Sequence, residues 1–238
     1  MLPTLFTIER VSISSFGFFL SLGFLFAVYL IWRLARAWDL PEEKILDLFF
    51  LTIFFGFIGA RIFFIILNFE FFDNLLKMIL ITKYPGLSFW GGLLGGWLAL
   101  YFLTKKMSLG FWQIADIAAV GLLGGIILGD IGCFLGGCGF GNVSNFFLAV
   151  PAIGLVGKRL PLQLFEASIF LFFLSKFWYL STHFHIHGKI VSLSLIFIGL
   201  VKLFLGLWKN QGQEALFASI TFGLGLVIFY RVSKRHFL

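Results

Sequence analysis

Six polar side chains interrupt long apolar runs of this sequence, in places where a polar group is costly and therefore informative. They are Arg61, Asp116, Asp130, Gln163, Glu166 and Lys202. In membrane proteins such residues face the interior of a helix bundle or a wet cavity, where carboxylates move protons and cations hold anions. The pattern predicts a polar site shared by four apolar runs. The alternative, which the sequence leaves open, is a set of ion pairs that only fix helix packing.

The spacing of these residues places several of them on common helix faces. Gln163 and Glu166 are three residues apart and therefore lie on one face. Lys202, Gly206 and Lys209 follow one another in a stripe about 10 Å long. The glycine would leave room for an anionic lipid headgroup between the two ammonium groups. Alternatively, Lys209 only extends to the outer surface of the membrane.

The segment 129–141 reads GDIGCFLGGCGFG. Its glycines are too dense for a regular helix, so we expect a broken helix end or a re-entrant loop. Such backbone is tolerated at membrane depth where it is buried in protein or lines a cavity, and Asp130 would lie at the edge of that cavity. Cys133 and Cys138 are the only two cysteines of the chain. They form a disulfide or serve as small core residues, and their spacing does not decide between these alternatives.

The composition excludes a soluble protein. Hydrophobic residues make up 60% of the 238 residues and charged residues 12%. A soluble domain of this length needs more polar surface, whereas an apolar exterior suits lipid. The net charge of +7 comes mainly from bases at the ends of apolar runs, where they meet lipid headgroups, so it does not indicate nucleic-acid binding. The runs also lack the ten-residue alternation of a transmembrane β-barrel.

The apolar runs predict an all-α integral membrane protein with seven transmembrane helices in a single domain, residues 1–238. The predicted spans are 11–32, 45–67, 87–104, 111–128, 162–180, 190–207 and 215–230. Connections on one side carry more lysine and arginine than those on the other, which places the N-terminus outside and the C-terminus in the cytoplasm. Paired glycines in the segment FWGGLLGGW of the third span let two helices approach closely.

Several motifs along the chain resemble, in order, those of the prolipoprotein diacylglyceryl transferase family. The matching segments are SSFGFFLSLGFLFA, GARIFF, GLSFWGGLLGG, ADIAAVGLLGGIILGDIGCFLGGCGFG, LPLQLFE and GLVKLFLGLWK. The resemblance implies a seven-span enzyme of the bacterial plasma membrane with its N-terminus outside. It implies transfer of a diacylglyceryl group from phosphatidylglycerol to the thiol of the lipobox cysteine in the signal peptide of a preprolipoprotein. We expect no cofactor and no metal site.

The resemblance also implies roles for residues at the family's motif positions. The expected catalytic residues are Asp130, Glu166 and Arg61. The expected phospholipid contacts are Arg61, Lys202, Lys209, Gln163, Gly91, Gly92 and Gly132. Asp116 and Cys133 are expected to support the site.

Several motif positions depart from the family pattern. Trp90 stands where the family has a histidine, Phe16 where it has a tyrosine, and Asp130 where it has an arginine. Tryptophan cannot act as a general base. Asp130 as an anion repels a phosphate unless Arg61 or Lys202 pairs with it or burial keeps it protonated. Asp130 is therefore either a relocated base or one half of a structural ion pair.

Two other functions stay open at this point. One is an inactive homologue that keeps the fold and binds phospholipid or a lipoprotein precursor, which the residues at Trp90 and Asp130 favour. The other is a small transporter or channel with Arg61, Asp116 and Asp130 along its path, although no paired repeat of broken spans is visible. The resemblance along the whole chain favours the transferase.

Overall fold

The computed structural model describes residues 4–8, 11–72, 74–80, 83–151, 156–183, 186–209 and 212–236. Within these ranges the chain is mostly helical, with eight α-helices and two short antiparallel strand pairs. The strand pairs are β1 (Thr4–Ile8) with β2 (Val11–Ser14), and β3 (Val150–Pro151) with β4 (Lys158–Arg159). The helices are α1 (Ser15–Ala37), α2 (Glu42–Leu67), α3 (Leu75–Ile79), α4 (Phe89–Lys106), α5 (Phe111–Gly136), α6 (Leu162–His183), α7 (Lys189–Trp208) and α8 (Gly212–His236).

Six of the described helices are long and apolar enough to cross a membrane, namely α1, α2, α5, α6, α7 and α8. Many of their large apolar side chains are exposed, as expected of helices that face lipid tails. The chain is therefore an all-α, multi-pass membrane protein, as its composition predicted. The predicted third span corresponds to α4, which is not among the six, so the count of seven spans and the orientation stay predictions.

The chain folds as two compact units. The first unit combines Met1–Asp39 with Asp116–Leu238, and the second is Leu40–Ala115. The first unit therefore contains α1, most of α5, and α6 to α8, whereas the second contains α2, α3 and α4.

Glycines allow α2 and α4 to approach closely in the second unit. A Cβ atom added to Gly59 would lie 2.8 Å from the carbonyl oxygen of Gly91 and 2.9 Å from the Cα of Gly95. One added to Gly95 would lie 3.0 Å from the Cα of Gly59. Any larger residue would push the two backbones apart, and small residues at such interfaces are typical of membrane helices. The packing role predicted for these glycines is confirmed.

In the first unit, α7 packs against α8 at Gly206. A Cβ atom added to Gly206 would lie 3.0 Å from the backbone nitrogen of Ala215 and 3.5 Å from its Cβ. Helix α8 therefore fills the space next to this glycine. The expectation that Gly206 leaves room for a lipid headgroup between Lys202 and Lys209 is wrong.

Helix α5 continues further than the sequence predicted, because it ends at Gly136 and not at residue 128. A Cβ atom added to Gly132 would lie 2.7 Å from a side-chain atom of α1, so close packing requires glycine here and outweighs its weak helix propensity. The irregular backbone begins at Gly137, which has a φ of 85°, and Gly139 has a φ of 71°. The predicted helix end within the segment 129–141 is confirmed, but it lies eight residues after the predicted end of the span, so Asp130 lies inside a helix.

The glycine contact between α2 and α4 can be tested by stability. Gly59→Ala is expected to destabilise the protein by about 1–3 kcal/mol, because the added methyl group overlaps the backbone of α4. Gly223→Ala in α8 is the matched control, because an added Cβ meets no atom within 4 Å there. Thermal unfolding in a single detergent compares the two variants. Equal midpoints would contradict the packing role of Gly59.

Candidate functional site

A buried ion pair joins α6 to α7. The Nζ atom of Lys202 lies 2.6 Å from Oε1 of Glu166, and the two side chains are 18% and 5% exposed. Both were expected site residues, but their direct pairing was not predicted. Removing two charges from water is costly, and each charge is compensated here by the other across a short, charge-assisted contact. The pair therefore fixes the point at which α6 and α7 meet.

Asp130 on α5 is a third ionisable group beside this pair. Its carboxylate interacts electrostatically with Glu166, Lys202 and Lys209. Lys202 is one of the two partners that the sequence suggested for Asp130. The Oδ2 atom is buried, and no hydrogen-bond partner reaches it among the described residues. The carboxylate thus lies near positive charge and keeps one acceptor unsatisfied.

Gln163 holds the turn that follows α5. A disulfide joins Cys133 to Cys138, with the Cα atoms 5.0 Å apart, which is one of the two alternatives left open for the cysteines. Nε2 of Gln163 donates a hydrogen bond to the carbonyl oxygen of Cys138. A Cβ atom added to Gly139 would lie 3.3 Å from both Sγ of Cys133 and Nε2 of Gln163. Glycine therefore lets the turn close tightly against the disulfide and the amide.

The polar residues of α5 and α6 face each other in two layers. Cys133 lies three residues after Asp130 on α5, and Gln163 lies three residues before Glu166 on α6, so each pair shares a helix face. Gln163 contacts the Cys133–Cys138 turn, while Glu166 interacts with Asp130. The contacting residues run in opposite sequence directions along the two helices, which indicates that α5 and α6 are antiparallel. The four residues therefore line one α5–α6 interface.

An apolar groove of about 550 Å³ lies beside the ion pair, between α6 and α7. Glu166 is the only ionisable residue among the described side chains that line it. The α7 wall includes Leu200, Phe204 and Trp208, whose side chains are 48%, 60% and 47% exposed. Exposed apolar side chains on a membrane helix face lipid. The groove therefore offers an acyl chain a path from the lipid to the carboxylate of Glu166.

Asp116, the other carboxylate of α5, holds the first turn of α7. Its Oδ2 accepts a hydrogen bond of 2.6 Å from the N–H of Gly188, and its Oδ1 accepts one of 2.7 Å from Val191. The first N–H groups of a helix lack partners within the helix, and a carboxylate there also opposes the positive end of the dipole. Asp130 lies about 21 Å further along α5, so Asp116 supports α7 from outside the ion-pair cluster.

Arg61 belongs to the second unit, where backbone carbonyls surround its guanidinium. Nε donates to Met78 at 2.9 Å, and Nη2 donates to Lys77 at 3.2 Å. Nη1 donates to Tyr84 at 3.0 Å and to Gly86 at 2.9 Å. These bonds use four of the five N–H groups of the side chain, which is 7% exposed. Arg61 therefore ties the connection between α3 and α4 to α2, and its expected catalytic role stays a prediction.

The three glycines expected to contact phospholipid all lie against other helices. A Cβ atom added to Gly91 would lie 2.7 Å from the carbonyl oxygen of Gly59, and Gly92 also faces α2. One added to Gly132 would lie 2.7 Å from Cβ of Phe19 on α1. Helix packing accounts for glycine at Gly91 and Gly132 without a lipid. Contact of these glycines with phospholipid stays a prediction.

Sequence reasoning missed Glu214 and the apolar groove. Glu214, in the first turn of α8, interacts electrostatically with Lys202. The short connection between α7 and α8 was a usable signal, since it keeps the start of α8 close to the end of α7. The groove gave no signal, because its apolar lining has the same periodicity as any lipid-facing helix surface.

The structural role of Arg61 can be tested by Arg61→Lys. Lysine keeps the charge but places its three donors on a single atom, so it cannot reach four carbonyls. We expect faster hydrogen exchange in the connection between α3 and α4 and a loss of about 1–3 kcal/mol in stability. Arg33→Lys, at an exposed position of α1, is the control. If exchange in that connection is the same in both variants, the carbonyl contacts do not hold it.

The disulfide can be tested by alkylation, because the chain has only two cysteines. Denatured wild-type protein should gain no maleimide mass before reduction and two adducts afterwards, whereas Cys138→Ser should gain one adduct without reductant. The double variant Cys133→Ser/Cys138→Ser should lose about 2 kcal/mol of stability, as expected for opening so small a ring. Two adducts on unreduced wild-type protein would show that the bridge is absent.

Comparison with known proteins identifies the family to which this sequence is similar. The sequence model of prolipoprotein diacylglyceryl transferases matches residues 3–233. The phosphatidylglycerol–prolipoprotein diacylglyceryl transferase of Finegoldia magna is 26% identical over 200 residues, which cover 84% of this chain and 80% of the relative. The enzyme named phosphatidylglycerol–prolipoprotein diacylglyceryl transferase 2 in Clostridium perfringens is 27% identical over 238 residues, covering 94% and 92% of the two chains. The family match spans nearly the whole chain, and the protein therefore belongs to the prolipoprotein diacylglyceryl transferase family.

Proposed function

We propose that this protein transfers a diacylglyceryl group from phosphatidylglycerol to the lipobox cysteine thiol of a preprolipoprotein. Its family and the names of its relatives support this activity. The buried Glu166–Lys202 pair beside an apolar groove is the observation that supports assigning this activity to particular residues. An acceptor for the thiol proton, a cation for the phosphate and a path for an acyl chain lie together there.

The reaction forms a carbon–sulfur bond and breaks a carbon–oxygen bond. The sulfur attacks the glyceryl carbon that carries the phosphate, the electron pair of the broken bond stays on the phosphate oxygen, and glycerol phosphate leaves. A thiol reacts as the thiolate, so a base must first take its proton. We assign this proton to the carboxylates of the cluster, Glu166 and Asp130, with Glu166 as the member that lines the groove.

Lys202 is the group proposed to hold the phosphate, and Lys209 is proposed to add a second positive charge at longer range. Lys202 contacts Glu166, which lines the groove, so its positive charge lies beside the groove. A cation fixed in a site that excludes water stabilises the negative charge that grows on the departing phosphate. Lys209 lies seven residues further along the chain, about 10 Å away along the axis of α7, and supplies a second charge on the same side. Lysine lacks the fork of arginine, so each contact is a single point of attraction.

The other expected residues are proposed to act through the fold. Arg61 positions the connection between α3 and α4, and its direct contact with the phosphate is the less favoured alternative because carbonyls use most of its donors. Asp116 positions α7, and the Cys133 disulfide positions the turn after α5. Gly91, Gly92 and Gly132 let helices approach closely.

We propose that the chain forms one domain that crosses the bacterial plasma membrane seven times, with the N-terminus outside. Helix α4 would complete the count, since its 18 residues extend about 27 Å, close to the thickness of the hydrocarbon core. Its side chains Leu94, Leu98 and Phe102 are exposed and apolar. Contacts of α5 with α7 at Asp116 and at Asp130 support a common direction for these two helices, as the fourth and sixth spans require.

The transfer can be tested with purified protein, phosphatidylglycerol and a lipobox peptide with one cysteine, using mass spectrometry to detect the adduct. A peptide with serine in place of cysteine is the blank. Glu166→Gln is expected to lower kcat/KM about 100-fold or more, because a proton acceptor is lost. Lys202→Met should have a comparable effect, whereas Lys202→Arg keeps the charge and should retain far more activity. Lys176→Met, at an exposed position of α6, is the control for the same charge change.

Two results would contradict the proposal. The absence of an adduct, from folded protein that still retains lipid, would contradict the transfer and favour the phospholipid-binding homologue considered above. Wild-type activity in both Glu166→Gln and Lys202→Met, with a diacylglyceryl adduct formed, would instead show that the chemistry takes place away from this ion pair.

A further inference from the structure

We infer that a turn in the connection between α5 and α6 is a membrane anchor, which inserts its apolar side chains among the acyl chains of the bilayer. The turn has an apolar tip that consists of Phe146, Phe147 and Leu148. The inference goes beyond the proposed function and holds whether or not the chain transfers a diacylglyceryl group. It depends on the exposure of the tip, its position beside α7 and the distribution of charge along the connection.

The side chains of the tip are apolar and exposed. Phe147 is 81% exposed, Phe146 is 50% exposed and Leu148 is 41% exposed. The rings of Phe146 and Phe147 lie side by side, with their centroids 4.6 Å apart, so they form one patch. Turns that face water usually carry Gly, Pro, Asn, Asp or Ser. A contiguous exposed apolar patch instead marks a surface that binds a membrane, a ligand or another protein.

Hydrogen bonds close the turn and hold both of its ends. The N–H of Ala149 donates to the carbonyl oxygen of Phe146 at 2.8 Å, and the N–H of Phe146 donates to Oγ of Ser144 at 3.2 Å. The N–H of Ser144 donates to the carbonyl oxygen of Lys158 on β4 at 2.9 Å, and β4 also pairs with β3 after the tip. These bonds pair backbone groups that lipid could not satisfy, so the turn is suited to enter a bilayer.

The tip lies beside the last turns of α7. Nδ2 of Asn142 donates a hydrogen bond of 2.8 Å to the carbonyl oxygen of Trp208, the residue that ends α7. Phe146 and Leu200 line the same groove, and Leu200 precedes Trp208 by about 12 Å along the helix axis. The exposed apolar side chains on this part of α7 face lipid. The tip therefore continues the lipid-facing surface of α7.

The charges along the connection match the surface of a bilayer. The sequence has no charged residue between Asp130 and Lys158. Lys158 is exposed at the base of the turn, where its carbonyl oxygen binds Ser144. A chain covers at most about 3.6 Å per residue, so Phe147 lies within about 11 Å of Ser144. An ammonium at the base can therefore contact lipid phosphates while the tip enters the hydrocarbon.

A bilayer explains these features better than a protein partner does. The three side chains of the tip offer far less than the total of about 1,200 Å² or more that a stable protein interface buries. A second copy of this chain, or an apolar peptide segment, would also give no reason for an exposed lysine at the base of the turn. A bilayer accounts for that lysine and for the continuity of the tip with α7.

The test measures the depth of the tip in nanodiscs of phosphatidylglycerol and phosphatidylcholine that contain the full chain and no peptide. Trifluoromethyl-phenylalanine replaces Phe147, and fluorine NMR records line broadening by dissolved oxygen and by a water-soluble nickel chelate. Oxygen concentrates in hydrocarbon and the chelate stays in water, so the ratio of the two broadenings rises with depth. The same label at Leu224, exposed on α8, gives the reference for lipid, and the label at Glu43, exposed in the first turn of α2, gives the reference for water. We expect the ratio at position 147 to exceed that at position 43 about threefold or more, because a polar chelate does not enter hydrocarbon.

A variant assigns this depth to the apolar side chains of the tip. Phe146→Ser/Leu148→Ser, with the label at position 147, should lower the ratio about twofold or more, because insertion depends on the apolar area that enters the lipid. Leu94→Ser/Leu98→Ser, at two exposed positions of α4, is the control and should leave the ratio at position 147 unchanged. The ratio compares two broadenings of one resonance, so partial loss of folded protein cancels. The measurement on the otherwise unchanged chain does not need the variant.

Other occupants of the tip give different results, and each would overturn the inference. A ratio at position 147 less than about threefold above that at position 43 would place the tip in water, as expected of a surface that waits for a peptide. Little broadening by either agent would show that a second copy of the chain covers the tip. An unchanged ratio in Phe146→Ser/Leu148→Ser would show that the apolar side chains do not set the depth. None of these results depends on whether the protein forms a diacylglyceryl adduct, so the anchor and the transfer are tested separately.

Discussion

The arrangement of the first unit depends on burying charges without leaving them unpaired. A lone carboxylate or ammonium at membrane depth is far less favourable than an apolar side chain, so Glu166 and Lys202 determine where α6 meets α7. Asp130 brings α5 to the same place. The apolar groove lies directly beside these charges, with Glu166 in its wall. Glu166, which joins α6 to α7, is therefore also the charged residue in the wall of the groove.

Backbone groups at helix ends and in connections also need hydrogen-bond partners, and two of the expected site residues supply them. Asp116 accepts hydrogen bonds from the first turn of α7, and Arg61 donates to carbonyls before α4. In the core of a bilayer no water is available to hydrogen-bond an unpaired backbone group, so a buried charged side chain is an effective partner. By fixing the start of α7, Asp116 also sets the position of Lys202, about 20 Å further along that helix.

Sequence patterns predicted the positions of the helices better than they predicted which groups each polar side chain contacts. The apolar run 162–180 corresponds to Leu162–His183, and helical periodicity correctly placed Gln163 and Glu166 on one face. The end of α5 was missed, because the effect of Gly132 depends on a side chain of α1 that no local pattern reveals. The partners of Arg61 and Asp116 were missed for a different reason. They are backbone groups, which every residue type supplies, so residue identity carries no information about them.

Charge balance connects the proposed steps of the reaction. Two lysines, Lys202 and Lys209, lie among three carboxyl groups of the cluster, those of Asp130, Glu166 and Glu214. A phosphodiester adds one negative charge and competes with Glu166 for Lys202, which favours transfer of the thiol proton to a carboxylate. In the proposed mechanism, the thiolate therefore forms when the phosphate that must leave is in place. The same proposal gives Asp130 a role on a site for an anion, because a carboxyl group that takes up the thiol proton no longer repels the phosphate.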